Sequence, residues 1–137
     1  FISSRKDKKS RHYFNYDLMK DGNFAGDFIK KPHTQMRSVW AIWTPTPKEK
    51  TFGRHPTQKL VNLLERIILA STKENDLILD PFMGSGTTGV AALKLGRQFV
   101  GIEQNPEFIL LADKRMYDAY KHKEENKWNN IKYLRKY

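Results

Sequence analysis

The sequence predicts an α/β fold, in which a parallel β-sheet carries flanking helices. Short apolar runs alternate along the chain with segments that show the apolar period of amphipathic helices. A glycine-rich turn, Gly84-Ser85-Gly86, follows the first of these apolar runs and precedes a helical segment. Since parallel strands are joined through crossover helices, this alternation favours a parallel sheet with right-handed crossovers.

The segment before the glycine turn is predicted to form a helix and then a buried strand. Apolar residues recur at positions 60, 63, 64, 67 and 68, which is the spacing of one helix face. We expect the pentapeptide His55–Lys59 to open this helix, because a proline such as Pro56 is tolerated at a helix start. Leu77–Leu79 is a short apolar run that ends in Asp80, as strands buried on both faces do.

Two helices and two strands are predicted after the turn. Thr87–Leu95 has a helical pattern, and Gly96 is expected to end that helix in a left-handed conformation. The second strand, Phe99–Ile102, ends at Glu103, and Asn105 opens the next helix as its N-cap. The apolar face of that helix and the last strand are assigned to Phe108, Leu111, Ala112 and Ala119 and to Ile131–Leu134.

The chain divides near residue 52. Residues 1–51 are basic and loop-rich, and they contain one β-prone run, Ser38–Trp43. Trp40 and Trp43 are interpreted as core or interface residues rather than as base-stacking residues. Residues 52–137 carry the orderly α/β pattern.

The composition of the 137-residue chain is strongly basic, with a net charge of +10. An excess of Lys and Arg favours polyanionic partners, above all nucleic acid. No apolar run approaches the ~20 residues that span a bilayer, so no membrane association is predicted and a cytoplasmic location is expected. The sequence has no cysteine, which excludes disulfides and thiolate metal sites, and no metal site is assigned.

The most informative stretch is Asp80–Thr88, which joins a strand to a helix around the glycine turn. Ligands of open α/β sheets bind at such strand ends, and the N–H groups of a helix start favour a carboxylate or phosphate. Glu103 ends the next strand about 20 residues after the first glycine, where a carboxylate can accept hydrogen bonds from both hydroxyls of a ribose. The turn and Glu103 together predict a ligand that contains a nucleoside.

Several interpretations compete for this turn. Gly84–Gly89 matches G-x-G-x-x-G, so a nicotinamide or flavin dinucleotide is one alternative. A nucleoside triphosphate is disfavoured, because Gly86 is followed by Thr87 without the lysine of a P-loop. S-adenosylmethionine is the third ligand, since it also has a ribose and a carboxylate. On a purely structural interpretation, the glycines only make a tight turn.

Two further features favour S-adenosylmethionine. His55-Pro56-Thr57-Gln58-Lys59 precedes Asp80–Thr88 by the length of one helix and one strand, and Gly101-Ile102-Glu103 follows. In this order, the three motifs resemble those of the β-class DNA amino-methyltransferases, which methylate the exocyclic amine of adenine or, less often, cytosine. Arg37–Trp40 and Thr51–Arg54 are similar to the segments that lead into the first motif in that family.

The resemblance implies a Rossmann-like methyltransferase fold and S-adenosylmethionine as the cofactor. His55 and Thr57 would hold the methionine end of the cofactor, and Glu103 would bind its ribose. The residues that would line the turn are Asp80, Phe82, Gly84, Ser85, Gly86 and Thr87. One departure from the family pattern is Leu60, which stands where family members commonly have proline.

The resemblance also indicates what the chain lacks. Enzymes of this family place an Asp/Asn-Pro-Pro-Tyr/Phe motif at the active site, and no such motif occurs in this sequence. No catalytic residue is therefore assigned, and we expect the catalytic half upstream, on the same or a separate polypeptide. The chain alone is expected not to methylate DNA. The alternative from another class is a non-catalytic nucleic-acid-binding module that keeps the cofactor fold.

The implied function is site-specific adenine methylation of double-stranded DNA in a restriction-modification system, and cytosine-N4 methylation is the alternative within the family. Residues 1–51 would end the target-recognition region, and residues 52–137 would bind the cofactor. A homodimer is also compatible with the resemblance. The residues expected to contact DNA phosphates are Arg5, Lys6, Lys8, Lys9 and Arg11.

Overall fold

The computed structural model describes residues 12–21, 24, 33–34 and 39–121 and the backbone of residues 131–135. In chain order, the elements are α1 (Tyr16–Asp21), a 3₁₀ helix (Pro47–Lys50), α2 (Val61–Ser71), β1 (Leu77–Asp80), α3 (Thr87–Lys94), β2 (Gln98–Glu103), α4 (Pro106–Lys121) and β3 (Ile131–Arg135). None of these helices is both long and apolar enough to cross a membrane.

The strands form one parallel sheet in the order β1-β2-β3. Asp80 at the end of β1 lies beside Gly101 of β2, and Glu103 at the end of β2 lies beside Arg135 of β3. Helix α3 connects the first two strands and α4 follows the second. The structure therefore confirms the predicted α/β fold with a partial, Rossmann-like parallel sheet, including the strand predicted near residue 131.

The hydrophobic core lies on one face of this sheet. Phe99 of β2 is fully buried beneath Gly89 of α3, where an added Cβ would overlap the Phe99 ring and the Met116 sulfur of α4. A glycine at position 89 thus lets α3 touch both the sheet and α4. The buried residues of this core are Val61, Ile68, Met83, Val90, Ala91, Ala92, Leu93, Phe99, Ile109, Ala112 and Met116.

The opposite face of the sheet is open over the part of the chain that the structure describes. Leu77 and Leu79 of β1 are 62% and 56% exposed, whereas Ile78 between them packs against the core. Successive side chains of a strand point to opposite faces, so every second residue of β1 lies on the uncovered side. Among the described residues, the predicted buried strand β1 is therefore covered on one face only.

Helix α2 begins later than its proline suggested. It starts at Val61, after Leu60 in an extended conformation, so the pentapeptide His55–Lys59 lies in a turn outside the helix. The N–H of Val61 donates to the carboxylate of Glu49 at 3.1 Å. The start of α2 is thus capped by a side chain from the 3₁₀ helix, a partner that local sequence does not show.

Residues 39–46 do not form the predicted β-strand, and residue 38 lies outside the described residues. The guanidinium of Arg66 on α2 lies 4.0 Å from the ring centroid of Trp40, so this aromatic residue packs on a helix. Trp43 is 84% exposed and is not a core residue of this chain. Its interpretation as an interface residue stays a prediction.

The ends of α3 and α4 follow the predicted signals. Gly96 has a φ of +75°, which confirms the left-handed residue after α3. The side-chain oxygen of Asn105 accepts the N–H of Glu107 at 2.9 Å, which confirms the N-cap of α4. The Asn105 cap sets the start of α4 at Pro106, three residues after Glu103 and beside the carboxyl end of β2.

Candidate functional site

The candidate site lies where the carboxyl ends of β1 and β2 meet the segment His55–Lys59. The glycine turn after β1 is held against β2, because the N–H of Met83 donates to the carbonyl oxygen of Ile102 at 3.0 Å. The sulfur of Met83 packs directly against Gly101, where an added Cβ would overlap it. The turn therefore lies over the end of β2 and next to Glu103.

Glu103 is half-buried, and its carboxylate points back to the turn. One oxygen accepts the N–H of Gly84 at 3.0 Å, and the other accepts the N–H groups of Gln104 at 2.8 Å and Asn105 at 2.9 Å. The two oxygens of a carboxylate accept about four hydrogen bonds, so these backbone bonds leave capacity for a further donor such as a hydroxyl. The backbone thus fixes the orientation of the carboxylate at the strand end.

The segment His55–Lys59 contacts the glycine turn through the ring of His55. Its Nε2 lies 3.0 Å from the position that a Cβ on Gly84 would occupy, so a glycine is needed for this approach. Its ring also packs on Phe108 of α4, with 4.2 Å between the ring centroids. Its Nδ1 accepts the N–H of Thr57 at 3.3 Å, so the neutral ring carries its proton on Nε2, the atom nearest the turn.

Asp80 and Phe82 form the first half of the turn. The carboxylate of Asp80 accepts the N–H of Phe82 at 3.1 Å and the hydroxyl of Thr88 at 2.6 Å. Asp80 thereby links the end of β1 to the first turn of α3. The Phe82 side chain is 87% exposed, and it offers an apolar surface on the open side of the turn.

Ser85 and Thr87 are buried beneath the turn. Their hydroxyl oxygens lie 3.2 Å apart and share a hydrogen bond, and the Thr87 hydroxyl donates to the carbonyl oxygen of Lys59 at 3.3 Å. The two side chains are therefore engaged with protein atoms. Thr87 connects the turn to the segment that carries His55.

Gly86 has a φ of +70° and lies against α4. A Cβ at this position would stand 2.7 Å from the Cβ of Ala112 and 3.1 Å from its Cα. The left-handed backbone and this short distance each favour glycine. Gly86 thus allows the start of α3 to pack closely against α4.

Arg115 on α4 is a site residue that the sequence analysis missed. It is 5% exposed, and its Nη1 donates to the carbonyl oxygen of Ser85 at 2.6 Å and to the hydroxyl of Thr87 at 3.0 Å. Burial lowers the pKa of the Arg115 guanidinium, and the Glu49 carboxylate raises it. One sequence signal was present, because position 115 falls on the apolar stripe of α4 that includes Leu111 and Ala112.

The predicted DNA-contacting residues at positions 5, 6, 8, 9 and 11 lie outside the described residues. Beside the site, a cavity of about 520 Å³ is lined by Pro47, Lys50, Arg54, His55 and Pro56. Two basic side chains thus lie next to the histidine of the first motif. Within the residues described, no group of three or more His, Asp or Glu side chains could hold a metal ion.

The fold and this geometry define a class of protein. A glycine turn after β1 and an acidic residue at the end of β2 have the arrangement found at nucleoside-binding edges of Rossmann-like α/β sheets. His55 adds a polar ring that lies against the same turn. The chain is thus a Rossmann-like α/β protein with a site suited to a nucleoside cofactor.

Comparison with known proteins gives the family. The N6/N4 methyltransferase family, described as DNA methylase, matches residues 1–114, and the chain belongs to this family. The sequence is 54% identical over 112 residues both to the Type II methyltransferase M2.LlaDCHI of Lactococcus lactis subsp. cremoris and to M2.DpnII of Streptococcus pneumoniae. Each match covers 82% of this chain and 39% of the relative, so the chain spans about two fifths of their length.

A solved structure supports the same assignment. The crystal structure of the M1.HpyAVI–SAM complex is 41% identical in sequence, with a TM-score of 0.58, over 80% of this chain and 46% of that chain. Family membership confirms the resemblance that the three motifs indicated. Family membership also disfavours the interpretation as a dinucleotide-dependent oxidoreductase. That interpretation gave the segment His55–Lys59 no role.

Proposed function

We propose that this chain is the cofactor-binding half of a site-specific DNA adenine methyltransferase of a restriction-modification system. The observation that carries the proposal is the meeting of His55, Gly84 and Glu103 at one edge of the sheet. Family membership and the Type II methyltransferase relatives support it. Cytosine-N4 methylation within the same family is the second candidate, because the family model covers both chemistries.

The residues at this edge fit S-adenosylmethionine as the cofactor. Glu103 keeps acceptor capacity for a ribose hydroxyl, and Nε2–H of His55 and the hydroxyl of Thr57 are suited to the carboxylate of an amino acid. The exposed ring of Phe82 offers an apolar surface for a base. The remaining proposed cofactor-site residues hold the turn in shape: Asp80, Gly84, Ser85, Gly86 and Thr87.

The chemistry proposed for the complete enzyme is direct methyl transfer. When bound, S-adenosylmethionine supplies an electrophilic methyl group on its sulfonium. The exocyclic amine of the target base would form the new N–C bond as the S–C bond breaks, the sulfur would keep the electron pair of that bond, and the amine proton would pass to water. The residues of this chain bind and orient the methyl donor, and positioning of two reactants accounts for a large part of the rate enhancement of such a transfer.

The catalytic half, with its Asp-Pro-Pro-Tyr-type motif, is proposed to complete the sheet beside β1, on the same or a separate polypeptide. The chain spans only 39% of the length of the M2.LlaDCHI relative. Over the residues described, the edge of β1 that faces away from β2 carries no strand, and Leu77 and Leu79 are exposed next to it. Unpaired strand edges and apolar patches of this kind are normally covered in a complete protein.

Double-stranded DNA is the proposed substrate, and a homodimer in the cytoplasm is the proposed assembly. The net charge of +10 supports a nucleic-acid partner, since binding releases counterions from the phosphates. Lys50 and Arg54 add positive charge beside His55. The basic residues proposed to contact phosphates remain Arg5, Lys6, Lys8, Lys9 and Arg11.

The test uses the full methyltransferase that contains this chain. We expect saturable binding of S-adenosylmethionine by calorimetry and transfer of its methyl group to adenine in DNA, identified by mass spectrometry of the nucleosides. Glu103→Ala should raise the KM for S-adenosylmethionine by about tenfold or more, because a charge-assisted hydrogen bond contributes about 1.5–3 kcal/mol. The isolated chain should transfer no methyl group.

Glu107→Ala is the matched control, because Glu107 is an exposed carboxylate in the first turn of α4. Its KM for S-adenosylmethionine should stay within about twofold of the parent value. An unchanged KM in Glu103→Ala, or binding of NAD in place of S-adenosylmethionine, would refute the proposed cofactor site. A methylated cytosine product would select the second candidate, and cofactor binding without transfer would indicate a non-catalytic module.

A further inference from the structure

Arg115 is a buried cation beneath the glycine turn, with no role in the three sequence motifs. It is 5% exposed, and burial lowers its pKa, while the Glu49 carboxylate raises it. A buried charge is costly unless hydrogen bonds and an opposite charge replace its hydration. The contacts of Arg115 therefore indicate which parts of the fold this buried charge holds in place.

Arg115 fixes one peptide unit in the middle of the turn. Its Nη1 donates to the carbonyl oxygen of Ser85 at 2.6 Å, and the N–H of the same peptide unit, that of Gly86, donates to the carbonyl oxygen of Met83 at 2.8 Å. Gly84 and Gly86 on either side both have positive φ, of +51° and +70°. Glycines have few conformational restraints of their own, so these two hydrogen bonds hold the path of the turn.

The same guanidinium reaches the segment that carries His55. Nη1 of Arg115 also donates to the hydroxyl oxygen of Thr87 at 3.0 Å, and that hydroxyl donates to the carbonyl oxygen of Lys59 at 3.3 Å. A single hydroxyl thus joins the buried cation to the last residue of the His55–Lys59 segment. The position of this segment depends on the same group that holds the turn.

Glu49 supplies a second connection to that segment. Its carbonyl oxygen accepts a hydrogen bond from Nε2 of Gln58 at 2.9 Å, and its carboxylate accepts one from the N–H of Val61 at 3.1 Å. This carboxylate also raises the pKa of Arg115, and the two residues line the same cavity. Arg115 is therefore bonded to the glycine turn, and Glu49 is bonded to the His55–Lys59 segment and to the start of α2.

We propose that Arg115 is a positioning residue for cofactor binding, which holds the glycine turn and the His55–Lys59 segment in register with Glu103. This inference rests on the proposed function, because it concerns the same site. Arg115 donates hydrogen bonds to Ser85 and Thr87, and its proposed effect on the cofactor site acts through these two residues. Its loss should weaken binding of the cofactor in the ground state and the transition state alike, which raises KM more than it lowers kcat.

The test compares variants of the full methyltransferase by calorimetry with S-adenosylmethionine, steady-state kinetics and thermal unfolding. Arg115→Met should raise both Kd and KM for S-adenosylmethionine by about tenfold or more, with kcat within about threefold of the parent value. Arg115→Lys keeps the charge but not the geometry of the guanidinium, so it should recover part of the loss. Thr87→Val is a smaller change that should also raise the KM for S-adenosylmethionine. It tests the proposal even if Arg115→Met does not fold.

Arg97→Met is the matched control. Arg97 is a partly buried arginine at the opposite end of β2, where it donates to the hydroxyl and the carbonyl oxygen of Thr72 at 3.1 and 2.9 Å and to the carbonyl oxygen of Leu95 at 2.6 Å. This variant should lower the melting temperature but leave the KM for S-adenosylmethionine within about twofold of the parent value. An equal rise in KM for Arg97→Met and Arg115→Met would show a general effect of stability and would overturn the inference.

The outcomes separate this inference from the proposed function. If the parent enzyme binds S-adenosylmethionine and folded Arg115→Met and Thr87→Val variants bind it within about twofold of the parent affinity, the positioning role is wrong and the cofactor site stands. If the parent enzyme binds no S-adenosylmethionine, the proposed function is wrong and the inference falls with it.

Discussion

Gly86 is the residue at which the backbone of the turn comes closest to α4. Replacement by alanine adds a Cβ 2.7 Å from the Cβ of Ala112, whose Cα is also only 3.1 Å away. Because Ala112 is a buried residue of α4, neither the turn nor α4 can move away without disturbing the core. We expect Gly86→Ala to lower the free energy of unfolding by about 2–4 kcal/mol, from backbone strain and overpacking together.

Gly96→Ala provides a matched comparison for this prediction. Gly96 has a similar φ of +75°, but its added Cβ would meet the carboxylate end of the Glu74 side chain at 2.9 Å, which can rotate away. We expect a loss of only about 1 kcal/mol. Denaturant unfolding of both variants in the full methyltransferase measures the difference, and equal losses would show that contact with Ala112 is unimportant.

The sequence located the turn, but it did not show the environment of each side chain in the turn. The glycines and Glu103 were identified from motif spacing, because close backbone approach and a strand-end carboxylate leave a local signature. His55 was identified from the family resemblance. The burial of Ser85 and Thr87 was not apparent, because their hydrogen-bond partner Arg115 lies 30 residues after Ser85 in the chain. Such a long-range hydrogen bond has no local signature.

Among the helices, α4 depends on its N-cap for its position next to Glu103. Asn105 accepts the N–H of Glu107 through its side chain at 2.9 Å. Asn105→Ala should lower the free energy of unfolding by about 1 kcal/mol, because one N–H group of the first turn loses its partner. Asn62→Ala, an exposed change in the first turn of α2, should change stability by less than about 0.5 kcal/mol. Thermal unfolding compares the two, and a larger loss for Asn62→Ala would contradict this role of Asn105.

The elements also differ in how well their boundaries could be predicted. The start of α4 was predicted correctly because Asn105 and Pro106 act within one turn. The start of α2 was not, because the cap of Val61 is the Glu49 carboxylate, 12 residues earlier in the chain. The run Ser38–Trp43 has the composition of a strand, but its described residues form none, and Trp40 packs on Arg66. Tertiary contacts here outweighed β-propensity, which is a weak and context-dependent preference.

For the molecule as a whole, the main feature is the face of the sheet that the described residues leave open. Leu79 of β1 and Leu110 of α4 are each 56% exposed, but only Leu79 lies on the sheet. If the proposed catalytic half covers this face, Leu79→Ala in the full methyltransferase should cost about 2–4 kcal/mol of stability, because a buried leucine is then truncated. Leu110→Ala should cost less than about 0.5 kcal/mol.

Calorimetric melting temperatures of these two variants show whether the sheet face at Leu79 is buried in the full enzyme. A lower melting temperature for Leu79→Ala alone supports burial of the sheet face in the full enzyme. Equal, small effects of both substitutions would place the catalytic half elsewhere. A large effect of Leu110→Ala would indicate that α4, rather than β1, lies against another part of the assembly.

The sequence by itself determined the order of helices and strands after residue 52, the glycine turn and the acidic strand end, because each depends on neighbours within a few residues. It also determined the family, since three spaced motifs together are specific. Only the tertiary structure decided which face of β1 is covered, how α2 is capped and which cation supports the turn. These features depend on residues far apart in the chain, such as Glu49 and Arg115, whose proximity follows from the packing of the helices on one face of the sheet.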